Sequence, residues 1–391
     1  MNPELAVIAL LFKFLDKTEV AGLILALTVY SLGKYSKDPE KNLDRLISLG
    51  IALLMVLLTF KNLMPEYAAA PSMLVAAFRK RTPYYFGIPV YFILGFLFLT
   101  SFPNPWEWEF SVLIALTMSL ASSLVVYALR NEFISTSLLL ANASILITFD
   151  IYRITVSREE LFFGFLIAFL LSLIAYRSKI ADETGLMAAT IVGMLIIVSS
   201  DIRFFIALIL FYAIGSMATK YKYRQKESLG VGEPAGGARG YSNVFANSLP
   251  ALFFALNYGY FSISPFSAAF VASLSAALGD TMASEIGKTA RKVYLITNFE
   301  RVKPGESGGV SFIGEISAFA GSAIISIYAF VSGILGGYEA IVALTAGFIG
   351  IHVDSILGAT AEKKGLMGNS GVNFFSTLFS GILALLILIQ W

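Results

Sequence analysis

Two aspartates stand at the ends of otherwise apolar segments. Asp280 lies in the run Leu278-Gly279-Asp280-Thr281-Met282-Ala283-Ser284-Glu285, and Asp354 in Ile351-His352-Val353-Asp354-Ser355. Each is followed by Thr or Ser and then by small residues. Counted from Pro265 and Tyr338, both sit roughly 23 Å along a helix that rises 1.5 Å per residue, so they share a depth. A carboxylate at membrane depth is costly unless it is paired or holds a cation; the plainer alternative is a hydrogen bond to a neighbouring helix. Magnesium is usually held by one or two carboxylates together with substrate phosphates. Asp280 and Asp354 are therefore candidate ligands for Mg²⁺. Glu285 is open to three roles: ligand, base or partner of Lys288.

Phosphate-binding parts lie beside these acids. Three segments share one order: glycines, a short polar stretch, then Ser or Asn before an apolar run. They are Gly232 to Phe245, Gly305 to Phe312 and Gly368 to Phe374. A glycine-rich turn that feeds a helix N-terminus presents free N–H groups and a positive dipole end, which suit an anion. Membrane loops are also often rich in Gly, Ser and Asn simply to cap their helices. Gly305, Gly308, Gly309 and Ser311 are the candidate cradle residues. Asn243 and Asn369 read as caps or contacts, and Asn247 and Asn373, one turn further in, as ligand contacts. Arg239 and Lys303 lie within or beside the glycine segments and can neutralise a polyphosphate. Arg291 and Arg301 are further cations, and His352 takes no role.

These groups need a scaffold, and composition says which. The chain has 391 residues, 57% hydrophobic and 14% charged, with mean hydropathy +0.77. Soluble domains carry about 25% charged residues. The apolar residues fall into runs such as 45–61, 84–102, 110–129, 159–176, 311–331 and 372–389, each near the length that crosses about 30 Å of hydrocarbon. None alternates with period two, so the reading is an all-α, polytopic transmembrane helix bundle of about 11–13 helices. There is no cysteine and one histidine, which excludes disulfides, thiol catalysis and a His-rich metal site. A net charge of +2 gives no case for nucleic acid. The start, Met1-Asn2-Pro3-Glu4, lacks the basic region of a cleavable signal.

Basic clusters at Lys34 to Arg45, Arg79 to Arg81, Arg177 to Lys179, Lys220 to Lys226, Lys288 to Lys303 and Lys363-Lys364 predict cytoplasmic loops. Pairs of apolar helices (183–200 with 203–218, 244–259 with 264–280, 311–333 with 337–360) separate the later clusters, so these loops share a side. Trp106 and Trp108 suit the opposite interface. Residues 66–82 read as a short span or an interfacial helix. Only five of the 32 glycines fall in residues 1–160. This divides the chain into N-terminal membrane helices of unknown role, 1–158, and a chemistry-bearing membrane domain, 159–391.

The run Gly215-Ser216…Lys220, Asn243…Asn247, Gly279-Asp280-Thr281…Ala283-Ser284-Glu285, Pro304-Gly305…Gly308-Gly309-Val310-Ser311 and Asp354-Ser355…Gly358-Ala359 resembles the transmembrane protein 19 family, which includes a plant phytyl-phosphate kinase. The resemblance covers roughly residues 160–391. Its Gly-Asp-x-x-Ala-Ser element is also similar to dolichol kinases and CTP-dependent phosphatidate cytidylyltransferases. It implies an integral membrane kinase that uses Mg²⁺ and a nucleoside triphosphate, CTP foremost, to convert a prenyl monophosphate into a diphosphate. It also implies catalytic roles for Asp280, Glu285 and Lys303, and nucleotide contact by Ser284. Two positions depart from the family pattern: Glu306-Ser307 stands where Thr-Asn is usual, and Met282 where Trp is common. Other classes kept in view are a kinase of the free prenol, a cytidylyltransferase and a lipid or solute transporter. Its expected partners are a membrane lipid and the nucleotide.

Overall fold

Long apolar runs without alternation can satisfy their backbone groups in hydrocarbon only as helices. The computed structural model follows that rule: 79% of the described residues are helical, with almost no strand. It describes residues 2–35, 39–78, 84–128, 133–152, 157–233 and 237–389. Arg79 to Arg81, part of the Lys34 to Arg45 cluster, and Pro234 to Gly236 of the first glycine segment lie outside the described residues. The chain divides into two units, residues 1–162 and 163–391.

The first unit contains α1 (Pro3–Leu11), α2 (Lys17–Tyr35), α3 (Pro39–Phe60), α4 (Glu66–Ala77), α5 (Tyr84–Leu99), α6 (Trp108–Ala128) and α7 (Ile134–Tyr152). The predicted segment at 66–82 is α4. At 12 residues it is about 18 Å long, too short to span. It is buried from Tyr67 to Ala77 among α1, α3, α5 and α7, as a wedge of small residues rather than an interfacial helix.

The second unit begins within α8 (Arg158–Arg177) and continues through α9 (Glu183–Ser199), α10 (Ile202–Lys220), α11 (Tyr223–Ser228), α12 (Tyr241–Phe261), α13 (Ser264–Gly287), α14 (Phe312–Val331), α15 (Gly337–Leu357) and α16 (Asn369–Ile389). Nine described helices are long and apolar enough to cross a membrane; Gly87–Leu99 and Glu183–Ser199 are apolar but shorter. The hub is α13. Every residue from Ser267 to Gly279 is buried, and α10, α12, α14, α15 and α16 pack around it. Small residues allow this, because helices in lipid associate by close backbone approach.

At the end of that buried stretch the fit is tightest. A Cβ on Gly279 would lie 2.3 Å from Ile351 Cδ1 and 2.8 Å from the Ala318 carbonyl oxygen, and a Cβ on Gly321 would lie 2.8 Å from Gly279 Cα. Gly279→Ala is expected to lower stability by about 1–3 kcal/mol through overpacking. Thermal unfolding in detergent checks this; an unchanged midpoint would mean that α14 and α15 yield freely.

Two features are absent from the sequence reading. The segment between α13 and α14 forms a small antiparallel sheet of order β2-β1-β3: β1 (Val293–Leu295), β2 (Arg301–Val302) and β3 (Gly309–Val310). Tyr294 pairs with Arg301 on one side and Val310 on the other. The second feature is a π-helical turn, Gly358–Glu362, that widens the end of α15. Such turns concentrate at functional sites.

Candidate functional site

At one end of the second unit the helix termini and loops enclose a cleft of about 510 Å³. Asp280 from α13 and Asp354 from α15 line the same wall, near enough for the charge of Asp354 to act on Asp280. Asp354 Oδ2 also accepts a hydrogen bond from Ser376 Oγ of α16 at 2.8 Å. The π-turn swings Glu362 back into the same wall, where its charge acts on Asp354. Among the described residues no three His, Cys, Asp or Glu side chains reach metal-ligand spacing. Two carboxylates facing one another thus suit a cation held mostly by phosphate and water, not an all-protein cage.

Opposite the acids lies the second glycine segment. Gly305 and Gly308 have φ of +84° and +79°, conformations that side chains resist. A Cβ on Gly308 would stand 2.6 Å from the Ala359 nitrogen, so only glycine lets this turn lie on the end of α15. Among the described residues the Ser307 and Gly308 N–H groups have no backbone acceptor. Ser311 lines the cleft too, but its Oγ is engaged as the N-cap of α14, accepting from the Gly314 N–H at 3.2 Å. Glu306, the departure from the family pattern, is neutralised: Lys363 Nζ donates to it at 2.7 Å and holds its carboxyl below the usual range.

Arg239 completes the wall. Its N–H donates to the Ile180 carbonyl at 2.8 Å and its carbonyl accepts from the Asp182 N–H at 3.1 Å, which pins the segment beside the start of α9. Its guanidinium passes over the rings of Phe211 and Tyr212 at 5.4 and 5.8 Å, through space that a side chain at Gly215 would fill. The residue is 8% exposed, and Nη1 has no hydrogen-bond partner among the described residues. Burial pulls its pKa down, against the opposing fields of Glu285 and Glu233. An arginine stays charged regardless. Arg239 thus brings to the cleft wall a buried charge with one unused donor, the chemistry that suits an anion.

The amides are sorted by the helix starts. The N-cap of α12 is Gly240, with no side-chain cap bond, so the capping reading of Asn243 is replaced: it lies inside the first turn, its Oδ1 buried and without a partner among the described residues. Asn243, Asn369 and Asn373 line the cleft. Asn247 does not; it is buried, and its Nδ2 donates back to the Asn243 carbonyl at 2.9 Å. Ser284 lines the cleft from an exposed position. Lys303 is exposed beyond β2, outside the cleft wall, as are Arg291 and Arg301.

Glu285 has a settled set of partners. Lys226, fully buried, donates to its Oε2, and Lys288 donates to its Oε1 at 2.8 Å. Lys288 also reaches Glu233 at 2.6 Å. Burial lowers the Lys288 pKa and raises that of Glu233, but their contact and Glu285 outweigh it, leaving Lys288 above and Glu233 below the ordinary values. Both Glu285 oxygens thus accept from lysine ammonium groups. Sequence reasoning missed Lys226, Glu233 and Glu362, since each lies among loop charges that look like solvated ones.

A family model described as "Integral membrane protein DUF92" matches residues 166–381. An uncharacterized membrane protein of Methanocaldococcus jannaschii is 29% identical over 230 residues, covering 58% of this chain and 94% of that one. One from Synechocystis sp. is 30% identical over 240 residues, covering 58% and 93%. Protein VTE6, chloroplastic, of Arabidopsis thaliana is 31% identical over 214 residues, covering 52% of this chain and 64% of that protein. No solved structure matches the chain.

Proposed function

The chain belongs to the integral membrane family DUF92, and from that premise we propose that it is a membrane-embedded phosphotransferase that passes a phosphoryl group from a nucleoside triphosphate, CTP foremost, to a prenyl monophosphate. The observation that carries this reading is one juxtaposition: an acidic pair, Asp280 and Asp354, shares a cleft with a buried guanidinium whose Nη1 is unused. The resemblance to the phytyl-phosphate kinase family supports it.

In this reading Asp280 and Asp354 hold Mg²⁺. A cation held there would supply positive charge to offset the charge that gathers on the phosphates during transfer. Arg239 and the Ser307 and Gly308 N–H groups bind the donor phosphates and orient them. Asn243, Asn369 and Asn373 offer amide contacts around them. Phosphoryl transfer needs positioning and charge neutralisation more than covalent chemistry. A monophosphate acceptor is already ionised and needs no base. A free alcohol would need one, and Glu285 has both oxygens engaged by Lys226 and Lys288, which favours the monophosphate. The gathering of polar groups at one end of the bundle favours an enzyme over a transporter, whose sites lie near the midplane. Lys220, Lys288 and Lys363 near this end support a cytoplasmic orientation of the site.

The test is thin-layer analysis of purified protein with γ-labelled CTP or ATP, Mg²⁺, and geranylgeraniol or its monophosphate. Labelled diphosphate from the monophosphate alone is the expected result. Label from the alcohol would move the assignment to a prenol kinase. No transfer from any combination by folded protein would overturn the enzyme reading. Arg239→Gln removes a charged donor worth about 1.5–3 kcal/mol, so KM for the nucleotide is expected to rise roughly 10- to 100-fold with less effect on the lipid KM. Equal losses on both substrates would place the guanidinium elsewhere in the reaction.

A further inference from the structure

A lipid phosphate can reach the acidic pair only by bringing its chain through the helix wall, and one seam in that wall differs from its neighbours. α14 and α15 each lean on α13 far more than on one another. Between them Glu315 Oε2 lies 3.2 Å from His352 Nε2, each side chain 37% exposed. Glu315 lines the cleft, and so do Ile351 and Ser355, which flank His352 in the chain. This half-exposed pair thus bridges α14 and α15 at the edge of the cleft. One helical turn further in, Phe319 meets Phe348 edge to face at 5.8 Å, and Phe348 meets His352 at 4.8 Å. The outer lips are apolar and exposed: Phe312 and Ile316 on α14, Ile349 and Ile356 on α15.

We propose that the α14/α15 seam, latched by Glu315 and His352, is the lateral gate through which the long apolar chain of a phosphate lipid passes when its head enters the cleft. The inference rests on the phospholipid-acceptor reading above. The pair is suited to the task by its chemistry. A carboxylate and an imidazole hold the seam where the charged head must pass, and both can turn toward water in the cleft as they part. The Phe319–Phe348 contact below closes on apolar substance only. Once the head is at Asp280 and Asp354, the chain occupies the opened seam, between the four apolar lips. His352 and Glu315 are positioning residues and touch no reacting atom.

The chain has no cysteine, which makes the gate directly testable in full-length protein in lipid nanodiscs. In Glu315→Cys/His352→Cys, oxidation links the helices and reductant frees them. Three quantities are read: labelled CTP binding, covalent uptake of a photoactivatable prenyl monophosphate, and turnover. Oxidation is expected to cut photolabel uptake and turnover by about tenfold or more, with nucleotide binding unchanged and reductant restoring both. Ile316→Trp, on an exposed lip where folding is not at risk, is expected to lower photolabel uptake without oxidation. Full uptake and turnover by the linked protein would overturn the gate, as would equal loss of nucleotide and lipid binding. Gated photolabel uptake in a protein that transfers no phosphoryl group would uphold the seam and reject the kinase.

Discussion

Asp280→Asn and Asp354→Asn are each expected to cut turnover about 10³-fold or more while leaving the protein at least as stable as wild type. The two effects have one cause. The carboxyls line one wall where α13 and α15 pack, near enough for the charge of one to act on the other, and Ser376 Oγ donates to Asp354. Two such groups repel whenever both are ionised, and this repulsion is retained only where something useful sits between them. An amide keeps the volume and the hydrogen bond from Ser376 but removes the repulsion and the cation site together. Thermal unfolding with and without Mg²⁺ separates the terms. Wild type should gain stability with Mg²⁺ concentration, as any ligand that binds only the folded state requires. Both variants should be flat. Wild-type turnover in either, or an Mg²⁺ response that survives, would remove the metal assignment.

How far the fold was legible follows from what leaves a mark in one dimension. Hydropathy marks each spanning helix, so the expected pairs at 183–200 with 203–218 and 311–333 with 337–360 correspond to α9 with α10 and α14 with α15. Asp280 and Asp354 stood out because a carboxylate at the end of an apolar run has few inexpensive explanations. Equal depth was legible as well, but the nearness of the two was not; it depends on α13 and α15 packing through Gly279. The sheet left no mark, since strands of two or three residues cannot show alternation. Arg239 was legible as a cation beside glycines. Its burial was not, because that depends on Gly215, Phe211 and Tyr212 of another helix. Asn243 misled for a local reason: the helix starts two residues earlier, at Tyr241. Lys303, which the resemblance implied, is carried by β2's exit into solvent and away from the cleft wall. Lys226 was hidden most deeply, as the last lysine of a basic run that the positive-inside pattern already accounted for.

That lysine is where the largest loss of stability is expected. Lys226 is fully buried, bound to Glu285 Oε2, and also donates to the Thr219 carbonyl at 2.6 Å, within the C-terminal turn of α10. Lys226→Met keeps the volume but strands a buried carboxylate, which costs about 3–5 kcal/mol. Lys288 cannot absorb the loss alone, because it is shared between Glu285 and Glu233. If the stranded charge is the cause, Glu285→Gln in the same chain should recover most of the loss, since a buried pair replaced as a unit is often neutral. If the double variant is as unstable as Lys226→Met, the loss lies instead in the uncapped carbonyls of α10, and the lysine serves that helix end rather than the cleft. Nucleotide binding decides what the pair does for function. The recovered double variant should fold, yet bind nucleotide more weakly, because Lys288 and Glu233 at the cleft would no longer be ordered by a charged Glu285.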